Sequence, residues 1–326
     1  EKFDSLESSG FVSEIENKYR EDIKLDILKV KEYDQNILKH LENINTNKEI
    51  KIKLKYFQYF ILLFVEIYLD KYFSDKELFI NELNNYLKLF NETEDDNLSD
   101  FTTRDINKIA IWSATGSGKT LIMHINFLQI KDYMNKYKIN FEEKILLLTP
   151  NEGLSRQHLE EFEINGIEAS IFSKSANTQL NMNDIKIIEI TKLAEKNGEK
   201  TVSISNFGTK NIVFIDEGHR GTSGESWLTY RNKLCENGFS IEYSATFGQA
   251  ISASNNKKLE EEYAKCILFD YSYKYFYKDG YGKDFKILNI KIDIDNKIPD
   301  EKNIYLIAYL LTYYQQKKVY KDKLKD

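Results

Sequence analysis

Cysteine and proline are both scarce in this chain of 326 residues. Neither Cys235 nor Cys266 has a neighbour at the spacing of a zinc site or a redox pair, and the four histidines are scattered. We interpret both cysteines as reduced and structural, which is typical of a cytoplasmic protein. Because Pro150 and Pro299 are the only prolines in the sequence, long uninterrupted helices are expected.

A run of apolar residues long enough to cross a membrane is also missing, since a spanning helix needs about 20 of them. The most apolar stretch, residues 57–69, is interrupted by Gln58 and Glu66 and predicts a buried helix. No secretion signal is visible, and no membrane partner is expected. The sequence begins at Glu1 rather than at methionine, so the native N-terminus is expected upstream of it.

An excess of positive charge is absent as well, because the formal net charge is −6. Nucleic-acid-binding proteins often carry a basic face, although a local basic track is enough to bind nucleic acid. The charge therefore neither supports nor excludes a nucleic-acid partner. The hydrophobic content of 41% supports a sizeable core, and the charged content of 30% indicates a soluble protein.

The first 48 residues are predicted to form an N-terminal helical segment. Apolar residues recur there at steps of three and four, namely Ile23, Ile27, Val30, Ile37, Leu41 and Ile44. A helix packed on the main body is favoured over a partner-binding helix or a short coiled coil, because Asp34 interrupts the stripe and the run is short. Further helices are predicted over residues 49–72 and 75–91, and an acidic loop over 91–105.

From Lys108 onward, short apolar runs alternate with amphipathic helical patterns. The predicted strands are Ile109–Trp112, Ile145–Thr149, Ala169–Phe172, Ile185–Ile190, Ile212–Asp216 and Ile241–Ser244, with helices between them that include Lys119–Tyr137 and Gly153–Glu163. This alternation indicates an α/β fold with a parallel sheet, helices on both faces and ligands at the carboxyl ends of the strands. Later elements are predicted as helices over Lys257–Ala264, Tyr273–Tyr277 and 301–320, and as strands over Ile267–Phe269 and Phe285–Ile294.

A phosphate-binding loop is predicted at Ala114–Thr120, between the first strand and a helix. The two glycines allow a tight turn whose N–H groups point at an anion, and the positive end of the helix dipole adds to this. Lys119 can reach the β- and γ-phosphates of ATP, and the Thr120 hydroxyl can bind Mg²⁺. The residues assigned to ATP binding here are Thr115, Gly116, Ser117, Gly118, Lys119 and Thr120. Ser113 stands where the general pattern has glycine, but the helicase form A-x-x-G-x-G-K-T fits in full.

A second motif lies at the end of the strand Ile212–Asp216, where the chain reads Asp-Glu-Gly-His. Two carboxylates at the end of a buried strand are costly unless they face a cation, so Asp216 is predicted to hold Mg²⁺ through water. Glu217 would deprotonate the attacking water as the catalytic base, beside Lys119 and Asp216. His219 is predicted to link the nucleotide site to the next motif. A solvated strand end is the alternative for the Asp-Glu pair alone.

With Tyr-Ser-Ala-Thr-Phe at residues 243–247, the set of motifs resembles superfamily 2 helicases of the DExH type. The Tyr-Ser-Ala-Thr-Phe form, the run Asp-Glu-Gly-His-Arg and the later Asp279-Gly280-Tyr281 are similar to the motor subunit of type III restriction enzymes. The resemblance covers about residues 50–295. It implies a RecA-like ATP-binding domain over residues 49–295 with a helical insertion at about 73–105.

The resemblance also implies roles for three further segments. Ser244 and Thr246 would couple ATP hydrolysis to strand movement, although their hydroxyls could instead satisfy the backbone at a strand end. Residues 149–157 resemble the motif that grips the nucleic-acid backbone, although Asn151 and Glu152 replace its usual side chains. The nucleic-acid contacts assigned in that motif are Thr149, Pro150, Asn151 and Gln157. Gln58 resembles the glutamine that reads adenine, and a polar residue on a core helix is the competing interpretation.

A cluster of aromatic residues follows the last predicted strand before Gly280. Its members are Tyr271, Tyr273, Tyr275, Phe276 and Tyr277. Packing on the sheet is favoured for them over stacking on nucleic-acid bases.

We therefore expect an ATP-driven translocase on DNA, from a restriction or anti-phage system, with ATP and Mg²⁺ as cofactors. An RNA helicase and an ATP-gated scaffold without translocation are the alternatives. Superfamily 2 motors use a second RecA-like domain that supplies an arginine, and the last arginine here is Arg231. Residues 296–326 are thus expected to lead into a second motor domain, and this chain alone to hydrolyse ATP slowly. A methyltransferase or a nuclease is a candidate partner.

Overall fold

The computed structural model describes residues 9–19, 26–46, 48–93, 97–139, 144–172, 185–198, 201–217, 225–282 and 299–323. The chain divides into two compact units, residues 1–282 and residues 283–326. In the second unit the structure describes one helix, Pro299–Lys323, which includes the helix predicted over residues 301–320. The strand predicted over Phe285–Ile294 lies outside the described residues. No helix among the described residues is both long and apolar enough to cross a membrane.

Four helices precede the sheet in the first unit. They are α1 (Gly10–Tyr19), α2 (Ile27–Asn45), α3 (Tyr56–Ser74) and α4 (Lys76–Thr93). Helix α2 begins where the Asp26 carboxylate accepts hydrogen bonds from the Leu28 and Lys29 backbone N–H groups, the usual N-cap arrangement. It packs on α3 through its buried apolar stripe. This is the packing arrangement that the sequence favoured for the N-terminal segment.

Asp34, which interrupts that stripe in the sequence, belongs to the buried face of α2. Its carboxylate accepts hydrogen bonds from the Ser9 backbone N–H at 2.7 Å and from the Tyr59 hydroxyl at 2.7 Å. A buried carboxylate is tolerated when donors satisfy it, so a polar residue in an apolar stripe does not weaken the packing. The division of the chain at residue 48 stays a prediction, since this helix lies within the first compact unit.

A parallel sheet of seven strands forms the centre of the first unit. Its strands are β1 (Lys108–Ser113), β2 (Ile145–Thr149), β3 (Ala169–Ile171), β4 (Ile185–Glu189), β7 (Ile212–Asp216), β8 (Phe239–Ser244) and β9 (Ile267–Tyr271). They lie in the order β3-β4-β2-β7-β8-β1-β9. Two short strands, β5 (Leu193–Ala194) and β6 (Val202–Ser203), pair separately. The predicted strands agree with these bounds to within two residues at each end.

Helices cover both faces of the sheet, as the near-continuous apolar strands require. They are α5 (Lys119–Lys136), α6 (Glu152–Ile164), α7 (Glu225–Leu234), α8 (Phe247–Ser254), α9 (Lys257–Cys266) and α10 (Tyr273–Lys278). Along β2, Leu147 faces the cluster that contains α3 and α5, whereas Leu146 and Leu148 face the other core cluster. The fold class is therefore confirmed as a RecA-like α/β sheet preceded by helices. Helix α8 was not predicted.

A buried ion-pair network ties α7 and α9 to the sheet. Arg231 is 2% exposed, and its guanidinium lies 2.8 Å from the Glu242 carboxylate of β8 and 2.6 Å from that of Glu262. The Lys108 ammonium, at the start of β1, lies 2.6 Å from the Glu262 carboxylate. These charges keep the pKa of Glu262 below its usual value, although burial opposes them. The network therefore ties β8 and the start of β1 to α7 and α9.

Candidate nucleotide site

The order of the strands brings the two predicted ATP motifs to one edge of the sheet. Strand β8 lies between β1, which leads into the phosphate loop, and β7, which ends at Asp216. The register pairs Trp112 with Ser244 and Asp216 with Tyr243, so the three carboxyl ends are level. Because neighbouring strands are about 4.8 Å apart, β1 and β7 are separated by roughly 10 Å. A triphosphate with its magnesium can bridge that gap.

The phosphate loop has the backbone that its two glycines allow. Gly116 and Gly118 have φ of +87° and +89°, in the left-handed region that favours glycine, and α5 begins directly after them. The Ser113 hydroxyl, at the position that differs from the general pattern, is hydrogen-bonded to that of Ser117 at 2.6 Å. The Lys119 ammonium donates to the carbonyl of Ser113 at 3.4 Å. The loop is thus held together from within.

Gln58 lies directly against the phosphate loop although 59 positions separate it from Ser117 in the sequence. Its amide donates to the Ser117 carbonyl at 2.8 Å, and its side-chain oxygen accepts from the Lys55 backbone N–H at 2.9 Å. A Cβ added to Gly118 would lie 2.5 Å from that amide nitrogen. Gln58 therefore braces the loop, and its contact with adenine stays a prediction.

Asp216 is buried at the carboxyl end of β7, with an exposed fraction of 8%. Its Oδ2 lies 3.0 Å from Nε2 of His158 on α6, a contact that the sequence analysis did not predict. Glu217 follows with φ of +57°, one of three residues other than glycine with positive φ among those described. A left-handed residue costs about 1–2 kcal/mol, and such strain is common at functional sites. His219 lies outside the described residues.

The donor set at this edge suits a hard cation. Mg²⁺ prefers oxygen ligands and is bound in proteins by one or two carboxylates, waters and substrate phosphates. Asp216 supplies a carboxylate, and Thr120 supplies a hydroxyl at the start of α5.

The Ser-Ala-Thr segment lies at the end of β8, between these two motifs. Ser244 is fully buried, and its hydroxyl accepts from the Thr246 backbone N–H at 3.0 Å. The Trp112 indole N–H donates to the carbonyl of Ala245 at 3.0 Å, which ties the segment to β1. The Ser244 hydroxyl therefore does satisfy the backbone, and the coupling role of Ser244 and Thr246 stays a prediction.

The segment predicted to contact nucleic acid leads from β2 into α6. Thr149 is fully buried, and its hydroxyl is hydrogen-bonded to that of Ser155 at 2.6 Å. The Asn151 side chain accepts from the Leu154 backbone N–H at 3.0 Å and caps α6. Pro150 is half-buried at the bend before the helix, and Gln157 is exposed with its amide donating to Glu161. The side chains of Thr149 and Asn151 thus serve the turn, and the nucleic-acid contact stays a prediction.

Some rings of the aromatic cluster are packed against other residues, and others are exposed. Tyr271 is buried, stacks on Phe57 with ring centroids 4.0 Å apart and donates to Asp279 at 2.7 Å. Phe276 lies beside the phosphate loop, since a Cβ added to Gly116 would be 3.8 Å from its ring. Packing on the core therefore describes these two rings. The rings that remain 40–49% exposed are Tyr273, Tyr275 and Tyr277.

A family model described as "Type III restriction enzyme, res subunit" matches residues 72–249, more than half of the chain. The chain belongs to this family. The match confirms the resemblance to superfamily 2 helicases and to the type III restriction branch within them. The phosphate loop and the Asp216–Glu217 pair both lie inside the matched residues. A search of curated proteins gave no match.

Among solved structures, the chain is similar to the UvsW helicase of bacteriophage T4, with 16% identity and a TM-score of 0.32 over 52% of this chain and 58% of that one. It is also similar to the SWI2/SNF2 ATPase core of Sulfolobus solfataricus, solved with double-stranded DNA, with 16% identity and a TM-score of 0.32 over 55% and 36%. The third is Dbp5 of S. cerevisiae bound to RNA and ADP BeF3, with 14% identity and a TM-score of 0.39 over 69% and 47%. The chain thus spans less than two thirds of each of these proteins.

Proposed function

We propose that this chain binds ATP with Mg²⁺ and is the ATP-binding domain of a motor that moves along or remodels nucleic acid. The observation that carries the proposal is the placement of the phosphate loop and of Asp216–Glu217 at one edge of the sheet, with the Ser-Ala-Thr segment between them. Membership of the res-subunit family supports an ATPase motor.

Each side chain has a task that its position allows. The N–H groups of the Gly116–Gly118 turn and the Lys119 ammonium would bind the phosphates, and Thr120 and Asp216 would hold the magnesium ion. An ion held there would supply positive charge next to the phosphate oxygens. Glu217 follows Asp216 directly and would accept a proton from the attacking water.

Hydrolysis at full rate is proposed to need a second RecA-like domain. An arginine supplied to the γ-phosphate is worth about 10³ to 10⁵ in rate in related phosphoryl-transfer enzymes. Arg231 is committed to a buried ion-pair network, and it is not available for that task. If a second domain supplies the arginine, this chain alone would bind ATP and hydrolyse it slowly, and robust turnover by the isolated chain would contradict this.

DNA is the proposed track, because the matching family is described as a subunit of a restriction enzyme. The test compares ATPase stimulation of the full-length protein by duplex DNA, single-stranded DNA and RNA of equal length. Stimulation by DNA with little effect of RNA supports the proposal, and the reverse order favours an RNA helicase. ATP hydrolysis without displacement of a strand or triplex would favour an ATP-gated scaffold.

The assignment of Glu217 is tested in the same assay. Glu217→Gln should lower stimulated turnover by about 10² to 10⁴, the usual contribution of a general base, while ATP affinity is kept. Lys88→Ala, an exposed change on α4, is the matched control and should leave turnover unchanged. Loss of ATP affinity in Glu217→Gln would instead assign this residue to binding.

A further inference from the structure

Among the described residues, His158 contacts the predicted magnesium ligand Asp216 directly, and the motifs do not explain its role. It lies on α6 with an exposed fraction of 3%, and its Nε2 is 3.0 Å from Oδ2 of Asp216. A carboxylate can only accept hydrogen bonds, so Nε2 carries the hydrogen and donates it.

Nothing else among the described residues accounts for a polar ring at this place. Nδ1 of His158 is buried without a hydrogen-bond partner there, so the bond to Asp216 is the one polar contact that the ring makes within the described part of the chain. A leucine of similar size would leave no orphan nitrogen, but it would give Asp216 no donor. The histidine is therefore explained by its donor and not by its bulk.

The packing around the ring fixes where that donor points. Phe162, one turn further along α6, lies 6.3 Å from the His158 ring and stacks on His124 of α5 at 4.1 Å. The His124 ring is anchored in turn by Asn165 at 2.6 Å. These contacts pack α6 against α5, the helix that follows the phosphate loop, and His158 contacts Asp216 from the packed side of α6.

We propose that His158 is a positioning residue, whose Nε2–H holds one oxygen of Asp216 so that the carboxylate is oriented towards the magnesium ion that accompanies ATP. The inference rests on the proposed function, since it assumes that Asp216 serves that ion. Hydrogen bonds to metal-ligating carboxylates orient them, and their loss typically costs 10–100-fold in metal affinity. His158 touches neither the nucleotide nor the reacting water in this arrangement.

Three substitutions separate the donor from the bulk of the ring. His158→Leu removes the donor, His158→Gln places an amide N–H at the reach of Nε2, and His158→Asn places one only at the reach of Nδ1. The full chain is titrated with Mg²⁺ at fixed fluorescent ATP analogue, and binding is measured separately in EDTA. His158→Leu and His158→Asn should raise the magnesium concentration for half-maximal binding about 10–100-fold, and His158→Gln should stay close to wild type.

Binding in EDTA should be the same in all four proteins, because the phosphate loop is untouched. Phe162→Leu is the packing control: it loosens the same cluster but keeps the donor, so it should lower the thermal midpoint and raise the magnesium concentration for half-maximal binding much less than His158→Leu does. If His158→Leu does not fold, the comparison of His158→Gln with His158→Asn decides the question.

A wild-type magnesium response in both His158→Leu and His158→Asn would overturn the inference and leave the proposed function standing. Equal losses with magnesium and in EDTA would assign His158 to the fold alone and would overturn it too. A well-folded wild type without magnesium-dependent ATP affinity would overturn the proposed function itself, and the inference with it.

Discussion

Glu66 on α3 offers a pH-dependent test of the packing that supports the phosphate-loop helix. Its carboxyl is fully buried and accepts hydrogen bonds from the Gln129 amide at 2.8 Å and the Tyr133 hydroxyl at 2.6 Å, both on α5. A third donor, the Asn36 amide of α2, lies at 3.3 Å. Burial raises the pKa of Glu66 to about 7, although the three donors oppose the rise.

The sign of the resulting pH dependence follows from that raised pKa. Between pH 4.5 and about 7 the folded chain keeps a proton on Glu66 that the unfolded chain has released. The stability that this proton contributes is complete below pH 4.5 and is lost as the pH rises through about 7. At about 1.36 kcal/mol for each pH unit between 4.5 and about 7, the loss amounts to about 3 kcal/mol.

Glu66→Gln replaces the titrating carboxyl group with an amide of the same shape. The free energy of unfolding is measured by urea titration from pH 4 to pH 8 for the wild type, for Glu66→Gln and for the exposed control Glu77→Gln. The difference between Glu66→Gln and wild type should grow by about 3 kcal/mol in favour of the variant over this range. Taking this difference cancels titrations that both proteins share, such as that of buried His40, whose pKa burial lowers to about 4. A difference that stays flat with pH would refute the reasoning.

Three further changes test individual features. Gly118→Ala should weaken ATP binding at least about 10-fold by calorimetry, because it strains the left-handed backbone and its Cβ would lie 2.5 Å from the Gln58 amide nitrogen. Gly166→Ala is the control: its backbone has φ of +69° but its Cβ would meet open space, so the variant has the same kind of strain and should bind ATP normally. Glu217→Gly should be more stable than Glu217→Ala by about 1 kcal/mol in urea unfolding, because glycine relieves the positive φ, while both lose turnover. Arg231→Met should cost about 3–5 kcal/mol of unfolding free energy, because it removes the guanidinium 2.8 Å from the fully buried Glu242 carboxylate and leaves that carboxylate only Lys108, at 3.4 Å, as a counterion.

The strands and the two ATP motifs could be predicted because their signals are local. A short, almost wholly apolar run such as Ile145–Thr149 is typical of a parallel strand covered on both faces, and the observed strand has the same bounds. The phosphate loop can be recognised from the spacing of its glycines between a strand and a helix. The conformation of such a turn depends on residues that are neighbours in the sequence, so it can be predicted from the sequence alone.

The contacts that could not be predicted join residues far apart in the chain. His158 and Asp216 are 58 positions apart, and no spacing rule connects a helix histidine with a strand end. The pairing of the Ser113 and Ser117 hydroxyls was hidden for another reason: the sequence showed Ser113 only as a departure from a pattern, and its partner appears once the loop has closed. In the sequence Asp34 interrupts an apolar stripe, because its donors, Ser9 and Tyr59, lie outside α2 and cannot be inferred from its pattern.

The geometry on which the account depends is the meeting of Lys119, Thr120, Asp216 and Glu217 around one nucleotide. The most direct measurement is calorimetry of ATP binding to the folded chain with Mg²⁺ and with EDTA, for wild type, Lys119→Ala and Asp216→Asn. Wild type should bind ATP more tightly with Mg²⁺, Asp216→Asn should lose this magnesium-dependent gain, and Lys119→Ala should lose affinity under both conditions. Well-folded wild type whose ATP affinity does not respond to Mg²⁺, or Lys119→Ala that binds as wild type does, would contradict it.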